Sequence, residues 1–136
     1  MSVVVDTGVF VSAADTDEPR HGDCASVLSG HRGQLVTSAA VVAETAWLIE
    51  DRLGPAAEAR FLTMVINDVR VVDLTKVDYQ RCIELIDRYA DMGLGLVDAS
   101  IVAIAERLGH TTIATLNERD FRVVRPVHCD AFELVP

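Results

Sequence analysis

The chain opens Val3-Val4-Val5-Asp6-Thr7-Gly8. Three β-branched residues in a row predict a strand covered on both faces. That strand runs straight into a carboxylate, so Asp6 is expected where a core strand ends and the chain turns. In open parallel α/β sheets, ligands bind beyond the carboxyl ends of the strands. Thr7 or Gly8 then begins a helix whose Val9, Phe10 and Val11 pack back on the sheet. A carboxylate beside a dry core is costly unless a cation or hydrogen-bond donors offset it.

Outward from that strand, helical and extended patterns alternate. Helices are expected over His21–Leu28, Ala39–Leu53 with Ser38 as N-cap, Ala56–Ile66, Lys76–Tyr89 and Leu96–Leu108. Thr75 with Asp78 resembles a capping box, and Gly109 closes the Leu96 helix. Strands are expected over Gln34–Thr37, Val69–Leu74 and Thr111–Thr115, with short terminal ones at Val123-Val124 and Phe132–Val135. Asn117–Phe121 reads as a turn or short helix. The alternation predicts an α/β three-layer sandwich, a mostly parallel central sheet of about five strands flanked by helices. No linker or repeat divides residues 1–136, so one domain is expected.

Composition narrows the function classes. Half of the 136 residues are hydrophobic, enough for a full core. No apolar run reaches the ~18 residues of a membrane span. Asp6 interrupts the apolar start and no basic region precedes it, so no signal peptide is expected. Cys24, Cys82 and Cys129 are far apart, which suits a reducing, cytoplasmic setting and argues against a zinc site. The net charge is −9, with one lysine, Lys76. Such a surface repels polyanions at long range and argues against a general nucleic-acid binder that works by a basic patch. It leaves room for an enzyme that meets phosphate through metal ions, and it suits a basic partner.

Two further acids share the oddity of Asp6. Glu44 has Ala40, Val41, Trp47 and Leu48 as same-face neighbours, and Asp98 has Leu94, Ile101 and Val102. Both helices are apolar nearly all round, so Glu44 and Asp98 are expected to be largely buried, with Trp47 in the core. The helix dipole favours Asp98 in its first turn by only ~0.3–1 kcal/mol. Each acid could pair with an arginine or cap a helix, yet no Lys or Arg lies within four residues on the same helical face of Glu44 or Asp98. One shared divalent cation would offset all three. A carboxylate-only set suits Mg²⁺ or Mn²⁺ rather than zinc. Thr115-Leu116-Asn117-Glu118-Arg119-Asp120-Phe121 follows a strand, so Asn117 or Asp120 could complete the site. Thr115 offers a supporting hydroxyl, and Arg119, Arg122 and Arg125 could meet phosphate. Turn chemistry and a solvated face are the plain alternatives for these residues.

In order and spacing, Val5-Asp6-Thr7-Gly8-Val9-Phe10, Thr37-Ser38 leading to Glu44, Leu94 to Ala103 around Asp98, and Thr115-x-Asn117 ahead of Asp120-Phe121 resemble the PIN-domain nucleases. Among these they resemble the VapC-type toxins of toxin–antitoxin pairs. The resemblance spans nearly the whole chain. It implies a Mg²⁺- or Mn²⁺-dependent endoribonuclease, commonly a homodimer, that cleaves RNA phosphodiester bonds and is inhibited by a cognate VapB-like antitoxin. It implies Asp6, Glu44 and Asp98 as the acids that hold the metal and serve catalysis. Asn117 as a further ligand or Asp120 as a further catalytic acid is the candidate fourth member, and Thr7, Thr115 and Arg119 are the candidate contacts to substrate. The family often has an aspartate where this chain has Asn117, which keeps a non-catalytic binding module as the alternative. A phosphoacceptor signalling domain would need a lysine at a late strand end, and Lys76 is mid-chain.

Overall fold

The valines of the opening run form the middle strand of the sheet. In a computed structural model describing residues 1–136, β1 (Val3–Val5) is flanked by β2 (Leu35–Ser38) and β4 (Thr112–Ala114), with β3 (Val69–Val72) and β5 (Glu133–Val135) at the edges. All four pairings are parallel, so the sheet expected to be mostly parallel is wholly so. Alternate β1 side chains point to opposite faces, and all three valines are buried, so both faces are covered. Each fully buried valine contributes roughly 1.5–3 kcal/mol.

The helices are α1 (Thr7–Ala14), α2 (His21–Gly30), α3 (Ala39–Leu53), α4 (Pro55–Asp68), α5 (Lys76–Arg88), α6 (Leu96–Leu108) and α7 (Glu118–Val123), with a 3-10 turn at Ala90–Met92. Ser38 caps α3 by accepting from the Val41 N–H, and the Thr75–Asp78 capping box is formed. Gly109 ends α6 in the left-handed conformation, φ 73°, that its missing Cβ allows. No helix is long and apolar enough to cross a membrane. One expected strand is absent. Val123 ends α7 and Val124 caps it, because the Asn117–Phe121 turn propagates as helix and brings Phe121 and Val124 into the core.

From β1 the chain moves to β2 and β3 on one side, then crosses β1 to place β4 and β5 on the other. The order therefore reverses between β1 and β4, the position where such sheets bind ligands. Thirty buried apolar residues form one core cluster around these strands. The fully buried run Ala99–Ala105 seats α6 against β1, β2 and α3.

A second feature binds α5 to α6. Asp78, its side chain 3% exposed, accepts from Arg107 Nε at 3.0 Å and Nη2 at 2.8 Å. Burial works against its charge. Hydrogen bonds from Arg107 and the Thr75 backbone, with the Arg107 charge, outweigh that and hold the carboxyl below its usual range. The stabilisation is therefore present above about pH 4 and lost as pH falls further. Asp78→Ala removes both the cap and the pair and is expected to cost about 2–3 kcal/mol. Urea unfolding at pH 7 and pH 3 checks it: the gap between variant and wild type closes at the lower pH.

Candidate metal and catalytic site

Asp6 ends β1 and caps α1. Its Oδ1 accepts from the Thr7 N–H at 2.7 Å and its Oδ2 from the Thr115 hydroxyl at 2.7 Å. Thr115 follows β4, so this bond crosses the point where strand order reverses. The residue is 6% exposed. Burial pushes its carboxyl up, and the Thr115 and Thr7 bonds partly offset that. No cation pairs with it.

Two other elements bring acids toward it. Ser38, at the β2–α3 junction, and Ser100, on α6, are fully buried and share a hydrogen bond of 2.8 Å. Ser100 also donates to the Val97 carbonyl at 2.6 Å, and the Thr37 hydroxyl donates to the Val5 carbonyl at 2.7 Å. These bonds fasten α3 and α6 to the end of β1. Glu44 and Asp98, six and two residues from those serines, then stand within electrostatic reach of Asp6. Asp98 shows it most: burial first, then the charges of Asp6, Asp120 and Glu44, push its carboxyl up to about 6. Glu44 is raised by burial and then by Asp6.

The expectation that Glu44 and Asp98 are largely buried is corrected. Glu44 is exposed and Asp98 half-buried. The buried stripe of α3 is Val41, Thr45 and Ile49, with Val42, Ala46 and Leu48 partly buried beside it; Glu44 and Trp47 lie off that stripe and face outward. Trp47, expected in the core, is 64% exposed for the same reason.

Of the four acids, only Asp120 meets a cation. Its Oδ1 accepts from Arg119 Nε at 3.1 Å, and its Oδ2 from the Asn117 amide at 3.0 Å. The Asn117 N–H in turn donates to Thr115 Oγ1 at 2.9 Å. Arg122 pairs with Glu118, and Arg125 donates to the Arg122 carbonyl, so Arg119 is the arginine of this run that reaches the acids. Thr7 Oγ1 is buried without a partner.

No three His, Cys, Asp or Glu side chains close up tightly enough to enclose an ion. Four carboxylates with one arginine among them repel one another, which is what raises Asp98 beyond the effect of burial. The donor set still fits a hard divalent cation. It consists of carboxylate and hydroxyl oxygens, three of the acids lack a counter-charge, and one buried hydroxyl is unsatisfied. Sequence reasoning missed the Ser38–Ser100 link. Its one trace was a lone hydroxyl inside the apolar run after Asp98. A cavity of about 430 Å³ between α1, α2 and α4, lined by Phe10, Leu28, Phe61 and Met64, holds none of these acids.

Comparison with known proteins identifies the family and the fold. A PIN domain model matches residues 3–125. Ribonuclease VapC26 of Mycobacterium tuberculosis is 27% identical over 135 residues, covering 98% of this chain and all of that protein. The crystal structure of Mycobacterium tuberculosis VapC20, described as a sarcin–ricin loop cleaving toxin, superposes with a TM-score of 0.76 at 24% identity, over 82% of this chain and 87% of that one. A toxin–antitoxin complex from Klebsiella pneumoniae gives 0.70 at 20% identity, over 90% and 92%.

Proposed function

Because the chain belongs to the PIN-domain family, we propose that it is an RNA-cleaving toxin that uses Mg²⁺ or Mn²⁺ at Asp6, Glu44 and Asp98. The observation that carries this reading is the convergence of those three acids, none paired with a cation, where the strand order reverses. The similarity to a ribonuclease over nearly the full length supports RNA as the substrate.

When bound, such an ion polarises the phosphodiester and lowers the pKa of attached water. The chain's own residues do the rest. Thr115 and the Thr7 N–H fix both oxygens of Asp6. Asp98 supplies a second carboxylate and Glu44, at the exposed rim, orients the attacking water. Asp120 adds a fourth negative oxygen donor from the Asn117–Asp120 turn. Arg119, 82% exposed at its side chain, is free to leave Asp120 for an RNA phosphate.

With a net charge of −9, RNA is not held by a general basic surface. The substrate range is therefore narrow, such as one loop of a structured RNA. An antitoxin carrying an arginine complements the unpaired acids and serves as the inhibitor, and Trp47 offers apolar area to a homodimer.

Purified protein with total RNA and Mn²⁺ tests the reading. Cuts at one or a few positions, abolished by EDTA and restored by Mn²⁺, are expected. Uniform degradation would refute the narrow range, and cleavage that survives EDTA would refute the metal.

A further inference from the structure

Asn117 stands where the family often has an aspartate, yet its side-chain nitrogen is already used. It donates to Asp120 Oδ2 at 3.0 Å, while its backbone N–H donates to Thr115 Oγ1 at 2.9 Å and Thr115 donates to Asp6 Oδ2 at 2.7 Å. One continuous hydrogen-bonded chain thus runs from the carboxylate after β1 to the carboxylate on α7. We infer that Asn117 is a positioning residue: it aims Asp120 at the metal site as the fourth carboxylate and is not itself a ligand. The assignment rests on the metal-dependent reading above and deepens it.

Three observations support it. Asp120 is 8% exposed, although acids are rarely so buried without partners. It is tied through Asn117 and Thr115 to the Asp6 carboxylate, which fixes the side of the sheet it stands on. Its two donors are also unequal. Arg119 is largely in solvent, where an ion pair contributes little and is screened by salt. Asn117 is half-buried and fixed through its own backbone to Thr115. The anchoring contact is therefore the amide. An amide N–H on one carboxylate oxygen leaves lone pairs on both for an ion. A carboxylate at 117 in this conformation would face Asp120 with like charge, so Asn117 and Asp120 form a complementary set in which the amide orients the acid three residues on.

A double-mutant cycle on Mn²⁺ affinity, read by electron paramagnetic resonance on the full chain without RNA, separates the roles. Asn117→Ala is expected to weaken Mn²⁺ about ten-fold, and Asp120→Ala at least as much. The double variant should bind no more weakly than Asp120→Ala alone, because the amide acts only through that carboxylate. Additive losses would make Asn117 a direct ligand and overturn the assignment, as would an Asn117→Ala variant that binds like wild type. The backbone at Asn117 (φ −94°, ψ 60°) is open to non-glycine residues, and its N–H to Thr115 survives the change. Asn117→Leu, of similar shape, repeats the cycle should the alanine variant not fold. If the wild-type chain binds no Mn²⁺, the metal-dependent reading falls and the assignment with it. Mn²⁺ binding with an additive cycle overturns the assignment alone.

Discussion

Asp98→Asn is expected to abolish RNA cleavage while making the metal-free protein harder to melt. The two effects have one cause. Asp98 is a half-buried carboxylate facing Asp6, Asp120 and Glu44, with no cation paired to it. Burial and those charges raise its carboxyl from 3.8 to about 6. Between those values the folded chain holds a proton that the unfolded chain has released. The stability this confers is complete below about pH 4 and is lost as pH rises through 6. At pH 7 the ionised group opposes folding unless an ion sits among the acids. Asparagine keeps the shape and removes the charge, so the melting temperature of EDTA-treated protein rises and its decline between pH 4 and pH 6 flattens. Activity moves the other way. A metal ion stabilises such a transition state by several kcal/mol, so losing one of its carboxylates costs on the order of 10³-fold in rate. For the wild type, Mn²⁺ binding should weaken below pH 6, as protons compete for Asp98. A variant that melts earlier than wild type without metal would show that Asp98 holds the fold together.

Phe10→Ala is expected to do the reverse, lowering stability by about 4 kcal/mol and leaving the acids in place. Phe10 is 1% exposed, and its ring meets Phe61 edge-on, 5.3 Å between centroids at 65°, which joins α1 to α4. The ring also forms part of the wall of the 430 Å³ cavity. Truncation enlarges space the neighbours already fail to fill, so little collapse can offset the loss. For a domain of this size the melting temperature should fall by about 15 °C. Phe10→Leu keeps most of the volume and should cost about half as much or less. Below the melting transition, both variants should cleave RNA at close to the wild-type rate per folded molecule. A stability loss under 1 kcal/mol would mean that α1 and α4 are held by contacts other than this pair.

The strand and helix order was legible because its signals are local. Val3–Val5, the Ser38 cap, the Thr75–Asp78 box and the Gly109 stop each act within a few residues, and each sits where the sequence places it. Asp6, Asp98 and Glu44 stood out for a related reason: a charge in an apolar run must be offset by something beyond the run. Burial on a given helix face was not legible. An apolar-all-round helix such as α3 has no sequence mark telling which side meets the sheet, and packing exposed Glu44 and Trp47. The sequence also left Asn117 and Asp120 interchangeable, since turns favour both. Only the three-dimensional arrangement puts the Asn117 amide on the Asp120 carboxylate. By itself the sequence determined the α/β order and which acids were anomalous, because both follow from short-range pattern and the cost of burying charge. The tertiary structure decided that those acids come within electrostatic reach of one another beside the reversal between β1 and β4, because that depends on strand order and on hydroxyl pairs such as Ser38–Ser100, 62 residues apart.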